Sequence, residues 1–266
     1  VIPVSIQFRV LDADNANASC AEMEFCRHNA SAGASNLFAD ELLTTLNPEV
    51  NMAALDTIQS SVIRSLVYQI LQGEYRTDYR AARYSSYNSP QYYSELWNAP
   101  GKYYDQIAGV TGINFEPDTK QIVYVTGIPD DMSVSLKVVA WYEGKDGGNF
   151  DGGNPITSEF ALHNGWNLIN YTFEYAGLGY ICYYDYEGKS ATRPQIGVHF
   201  VDGDINGYLS ADKSNEEMHQ LLADSKNICM DLFGKKVHSI WTRDGLMNYC
   251  KNSEGNGLGY RQYINF

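Results

Sequence analysis

The sequence predicts an α+β fold, mainly β: an antiparallel β-sandwich preceded by a small helical subdomain. Three observations lead there. Between Ile113 and Trp241 apolar residues alternate with polar ones in run after run, the period of a half-buried strand. Turn clusters separate these runs at about ten-residue spacing, which suits antiparallel strands closed into a sandwich. Ahead of them one stretch repeats its apolar residues at three and four positions, the period of a helix.

Taken in order, residues 1–33 read as a strand and a linker. Val4, Ile6, Phe8 and Val10 alternate with Ser5, Gln7 and Arg9, and an Ala, Asn and Ser-rich stretch follows. Residues 34–108 read as a helical accessory segment and a strap. Leu42, Leu43 and Leu46 share one helical face before Asn47-Pro48, and a second helix starts near Asn51. Its face is Leu55, Ile58, Val62, Leu66 and Ile70, and Gly73 ends it. The strap interleaves Arg76, Arg80 and Arg83 with many Tyr. It reads as structural, with phosphate binding or ring stacking as the competing possibility.

Residues 109–243 carry the sandwich. Thr111-Gly112 is expected to turn the chain from strap into first strand, ahead of Ile122, Val123, Tyr124 and Val125. Val134, Leu136, Val138 and Ala140 alternate next, then Ile169, Tyr171, Phe173 and Tyr175, then Ile196, Val198 and Phe200. Between them lie Pro129-Asp130-Asp131, Gly144 to Pro155, Asn164-Gly165 and Asp202-Gly203-Asp204. One helix interrupts the strands: Ser214 and Glu217 form a capping box before Met218, Leu221 and Leu222. Residues 244–266 turn polar and Gly-rich and stand apart from the sandwich.

A net charge of -13 leaves no cluster of Lys and Arg to neutralise a phosphate backbone, which excludes nucleic acid as a partner. No apolar run reaches the roughly 18 residues of a membrane span. No basic and apolar leader stands before Val1, so composition leaves a cytosolic chain and a processed exported one both open. Five cysteines leave at least one thiol without a partner in the chain; Cys20 and Cys26 are close enough to close a small loop.

The histidines are His28, His163, His199, His219 and His238, with no two four apart, so no H-E-x-x-H helix is present to hold zinc. His199 and His238 fall out of phase with their apolar neighbours and are expected to be surface or sheet-face imidazoles. No G-x-S-x-G elbow or phosphate loop is present. The Asp, Asn and Gly of Gly144–Asn154 and Asp202–Gly207 lack the ligand spacing and closing Glu of an EF-hand, and solvated hairpin loops compete with calcium sites at both.

What remains is aromatic. Rings with a polar handle, 21 Tyr and 4 Trp, outnumber 10 Phe, and such rings suit half-wet surfaces. Trp141, Tyr142, Trp166, Tyr183, Tyr184 and Tyr186, with Asp185 among them, form a candidate substrate-binding set. Rings would stack on sugars while carboxylates take hydroxyl hydrogen bonds.

The order "YYDQIAGVTGINFEPDTKQIVYVTGIP", a Trp-bearing strand, "NGWNLINYTFEYAGLGYICYYDYEG" and "PQIGVHFVDGDINGYL" resembles the N-terminal part of the enhancin-like, mucin-degrading zinc metallopeptidases. There a "PTGIY" opens the sandwich; here "VTGINFEPDTKQIVYV" stands in its place. The resemblance continues into "LFGKKVHSIWTRDGLMNYC" and covers residues 75–266. It implies a sandwich of jelly-roll type, with residues 244–266 as the start of a truncated catalytic domain. None of that family's catalytic positions has a counterpart here, so the resemblance implies no catalytic residue and no cofactor in this chain, zinc being expected in the missing catalytic domain.

It further implies a bacterial protein that is secreted, periplasmic or on the cell surface, where a Cys20–Cys26 disulfide is permitted. Its partner would be a mucin-type glycoprotein or host glycan, with any membrane attachment limited to a removed lipid anchor. The implied role is a non-catalytic one beside the protease, supporting it and presenting glycosylated substrate. A free-standing carbohydrate-binding or adhesin module is the alternative.

Overall fold

The computed structural model describes residues 36–58, 60–99, 109–141, 156–234, 238–250 and 259–264. The strand expected at 4–10, Cys20, Cys26, Tyr142 and the loop Gly144–Asn154 lie outside the described residues.

The helix expected at Leu42–Leu46 is instead a turn-rich hook closed by an isolated bridge between Phe38 and Leu46. Asp40 is the reason. Its carboxylate accepts the N–H groups of Leu42 at 2.8 Å and Thr44 at 3.0 Å, amides that a helix would pair otherwise. The second expected helix is broken in two. A 3-10 helix, Met52–Thr57, is capped by Asn51, and α1, Ser61–Leu71, by Ser60. Between them Ile58 is extended, and its carbonyl accepts the Arg64 Nε–H at 2.8 Å. Both pieces still bury the apolar face that the sequence marks, and Gly73 follows at φ +68°.

The strap is built into the sheets. It supplies β1 (Ala81–Tyr84), β2 (Tyr87–Asn88) and α2 (Pro90–Leu96). Then come β3 (Gly109–Phe115), β4 (Thr119–Thr126), β5 (Val134–Ala140), β6 (Ile156–Leu162), β7 (Gly165–Tyr171), β8 (Gly177–Asp185), β9 (Ile196–Phe200), β10 (Asp204–Ile205) and β11 (Leu209–Ser210). The chain continues through α3 (Asn215–Asp224), β12 (Cys229–Phe233), β13 (His238–Thr242), α4 (Arg243–Tyr249) and α5 (Tyr260–Ile264).

Two antiparallel sheets face each other. One has the order β1-β9-β4-β7; the other runs β10-β3-β8-β5-β6, with β2 paired in parallel to the end of β8. Val123, Val125, Ile169, Val198 and Phe200 of the first sheet meet Ile113, Phe115, Leu136, Val138 and Ile181 of the second. Phe115 sits edge-on to both Tyr171 and Phe200 at the centre of this core. On the other face of the first sheet, α1 lays Val62, Ile63, Leu66 and Val67 over Ile122, Trp166 and Val201. Each such side chain removed from water contributes about 1.5–3 kcal/mol.

Thr111-Gly112 lies inside β3 and is not a turn into it. The register of β3 against β8 shifts between Val110 and Asn114, a β-bulge with Gly112 at φ +72°. The Gly112 carbonyl accepts the N–H groups of Asn206 and Gly207, both at 2.9 Å. The Thr111 hydroxyl donates to the Gly179 carbonyl at 2.7 Å.

A third sheet, β11-β12-β13, with a parallel β11–β12 pair, was not expected. It shares one core with α3, α4 and α5: Leu209, Met218, Leu222, Met230, Leu246 and Ile264 pack together. The division drawn after residue 243 therefore runs through a packed unit. The Ser214–Glu217 capping box is formed as the sequence indicates.

Candidate functional site

The six aromatic residues singled out by sequence do not form one surface. Trp166 is 7% exposed, enclosed under α1 with its ring 5.1 Å from Tyr124. Tyr183 is fully buried between the sheets and donates to the Pro194 carbonyl at 3.1 Å. Trp141 packs half-buried against Val139, Leu178 and Tyr180 on the outer face of the second sheet. Tyr142 lies outside the described residues. Tyr184, half-buried, and Tyr186, 67% exposed, lie where β8 ends. Alternation along a strand is the cause: neighbours such as Tyr183 and Tyr184 must point to opposite faces.

The end of β8 nevertheless gathers other rings. β2 pairs Tyr87 with Tyr184, and the Ser89 N–H donates to the Asp185 carbonyl at 2.8 Å. α2 follows, with Ser89 capping it through the Tyr92 N–H and Pro90 in its first turn. Tyr92 lies against Gly188, where a Cβ would come within 2.4 Å of its ring. Tyr93 meets Tyr92 edge-on and stacks on Trp97, with ring centres 5.3 Å apart for the stacked pair. Trp97 and Leu96 are largely exposed.

Asp185 fixes this neighbourhood. Its buried carboxylate accepts the N–H groups of Glu187 and Lys189 and the Arg193 Nε–H, at 2.9, 2.8 and 2.7 Å. Arg193 also reaches Asp131 at 2.6 Å. The Lys189 N–H foremost, with the Arg193 guanidinium and Glu187 N–H, holds the Asp185 carboxyl below the usual range, against the burial that raises it. The loop carrying Tyr186 is thereby tied to the sheet. Tyr87, Trp97 and Tyr186 are exposed on these neighbouring elements, with Tyr93 stacked on Trp97; such rings can stack on the apolar face of a sugar while the phenols take hydrogen bonds. Tyr87, Tyr93 and Trp97 were missed in the sequence because "YNSPQYYSELW" was absorbed into the strap; Ser-Pro at its start is a helix-opening signal that marks them.

A cleft of about 590 Å³ lies where strap, sandwich and third sheet meet, bordered by Tyr79, Tyr208, Lys213 and Glu217. Its rings are already engaged: Tyr79 and Tyr208 meet edge-on at 5.0 Å, and the Lys213 ammonium stands 5.3 and 5.2 Å from their centres. That aromatic pair is structural.

The histidines differ from expectation. His199 is fully buried, its Nε2 2.5 Å from the Tyr75 hydroxyl, and burial pushes it down to about 4. It lies beneath the hook and α1, which cover the face of the first sheet that alternation assigned to solvent. His238 is partly buried, with Nε2 2.7 Å from Asp231. Asp202 and Asp204 diverge, the first accepting the Ile122 N–H at 2.7 Å and the second pairing with Lys226. Among the described residues no three His, Cys, Asp or Glu side chains are grouped to hold a metal ion. These residues therefore do not fit the zinc of a metallopeptidase centre.

No protein-family profile and no curated protein matches the chain. Solved structures do. A metallopeptidase from Bacteroides thetaiotaomicron matches with a TM-score of 0.62 at 20% identity, over 83% of this chain and 36% of that one. The CBM32-1, CBM32-2 and M60 catalytic domains of Clostridium perfringens ZmpB match at 0.58 and 12% identity, over 89% and 27%. A metallopeptidase in complex with Tn antigen matches at 0.52 and 22% identity, over 65% and 31%. The chain thus spans about a third of the first of these, and the shared property is the fold.

Proposed function

We propose that this chain is a non-catalytic region of a secreted zinc metallopeptidase acting on mucin-type glycoproteins, and that it supports the protease and presents glycosylated substrate. The observation that carries this reading is the backbone similarity to metallopeptidase structures, one of them in complex with Tn antigen. The absence of H-E-x-x-H from the 266 residues accords with a supporting role, zinc being held by catalytic residues outside this chain. Among the described residues no helix is long and apolar enough to cross a membrane.

The surface at the end of β8 is where glycan would be met. Titration calorimetry with mucin O-glycans is expected to give saturable heat, and Trp97→Ala or Tyr186→Ala to weaken it about tenfold with the thermal midpoint unchanged. The isolated chain is expected to leave mucin uncleaved. No heat with any O-glycan, or full binding by both variants, removes the presentation role.

A second reading, a free-standing carbohydrate-binding or adhesin module, draws on the same exposed rings. It predicts the same glycan affinity whether or not a catalytic part is joined to the chain. The first reading predicts tighter binding when a catalytic part is present, because two linked sites share one substrate.

A further inference from the structure

The exposed rings at the end of β8 stand among charges whose balance the fold has set. Tyr186 is followed directly by Glu187, and Trp97 lies two residues beyond Glu95; all four residues are exposed. The Lys189 ammonium sits on the Glu187 carboxylate at 2.6 Å. Arg193 is engaged on two sides, its Nε–H donating to Asp185 at 2.7 Å and its other arm to Asp131 at 2.6 Å. Residues 87–99 and 184–195, the stretches that carry the rings, contain no Lys or Arg besides these two.

Set against the two cations are four carboxylates, Glu95, Asp131, Asp185 and Glu187. The Glu187 bond holds the Lys189 ammonium above its usual range, and the Arg193 bond holds the Asp131 carboxyl below its own, so these groups stay charged at neutral pH. Glu95 is met by a neutral group, its Oε1 accepting the Gln91 amide at 3.0 Å. The phenols of Tyr87 and Tyr186 and the amide of Asn98 are exposed beside the rings and are neutral as well, suited to hydroxyl partners.

We infer that the glycan met at these rings is a neutral one, a mucin-type O-glycan without sialic acid or sulfate, an inference that rests on the glycan reading above. A sialyl carboxylate brought here would find both cations already paired and an excess of its own sign beside it. It would give up water and gain no charge-assisted bond in return. A neutral sugar loses nothing by the same balance, because stacking and hydroxyl hydrogen bonds need no counter-charge. The two contributions also respond differently to salt: repulsion between exposed charges is screened within about 10 Å at 0.1 M and about 3 Å at 1 M, and stacking is not.

The test is calorimetry on the whole chain with Tn antigen and its sialylated form, at about 0.1 M and about 1 M salt, repeated on the double variant Glu95→Gln, Glu187→Gln. Glutamine at 95 keeps an acceptor for Gln91, and residue 187 ties its loop through the backbone N–H, so the variant is expected to fold as the parent does. Binding of the neutral form at least about fivefold tighter than the sialylated one at low salt, with the preference shrinking at high salt, supports the inference. So does loss of that preference in the variant at an unchanged affinity for the neutral form. Sialylated antigen binding as tightly as the neutral one overturns it and leaves the glycan reading standing. A preference that neither salt nor the double variant alters overturns it too. No heat with either form removes the glycan reading itself and this inference with it.

Discussion

The imidazole of His199 is enclosed under the N-terminal hook, and its neutral form is the one the fold accepts. Burial is the main reason it sits at about 4 against an ordinary 6.5, with the Arg80 charge adding to the effect. Between those values the unfolded chain takes up a proton that the native state does not. Stability contributed by the neutral ring is therefore complete above pH 6.5 and is lost as pH falls toward 4, by about 3 kcal/mol in all. The raised Asp202 carboxyl acts in the opposite sense across the same window, so the expected signature in denaturant unfolding is a difference, with His199→Gln losing less stability than the parent as pH falls from 6.5 to 4. An equal loss in both would assign the effect to another group. The sequence shows His199 out of phase with Val198 and Phe200, which is correct; it does not show that a second layer covers that side.

At the scale of the element, β3 and α1 show how a local signal is kept or overridden. Gly112 holds φ +72°, and a Cβ there would stand 2.8 Å from the Tyr79 ring and 3.2 Å from the Gly207 Cα. Gly73 has a similar φ of +68° but nothing within 4 Å. Gly73→Ala is expected to cost about 1 kcal/mol, the left-handed penalty alone. Gly112→Ala is expected to cost about 2–4 kcal/mol because a clash is added to the same penalty. Equal costs in chemical denaturation would show that the bulge relaxes freely. The bulge was visible in the sequence only as a Thr-Gly pair, which reads equally as a turn, because its pairing partners Gly179, Asn206 and Gly207 are distant in the chain. The broken helix has the converse cause: the apolar spacing through Leu55, Ile58, Val62 and Leu66 is continuous, while Asn51 and Ser60 each cap a separate start.

At the scale of the molecule, a polar joint fastens the third sheet to the sandwich. Tyr180 of β8 is buried and donates to both oxygens of Asp231 on β12, each at 3.0 Å, while His238 of β13 binds the same carboxylate at 2.7 Å. Burial, with Asp231 beside it, raises the Tyr180 phenol and keeps it protonated. Nearby, Asn227 donates to Asn114 and Asn206 across the same seam. Removing the shared carboxylate strands the buried Tyr180 hydroxyl and the partly buried His238 ring. Asp231→Ala is expected to destabilise by about 2–4 kcal/mol and to split one unfolding transition into two, with proteolysis first reaching the unit that contains α3 and β12. A single transition near the parental midpoint would show that apolar contacts carry the joint.

Local periodicity determined the strands at Ile122–Val125, Val134–Ala140 and Ile196–Phe200, and the capping box at Ser214 and Glu217 determined α3; the alternation from Ile169 to Tyr175 overran its strand, which ends at Tyr171, short of Phe173 and Tyr175. Each of these is written within a few neighbouring residues. Only the tertiary structure decided which aromatic rings meet solvent, because β4 and β8 are covered on both faces and alternation cannot say where water lies. It likewise decided that residues 209–264 share one core, since the parallel β11–β12 pair joins segments separated by a helix. Side-chain spacing fixes the two faces of a strand, and long-range packing fixes what lies against each.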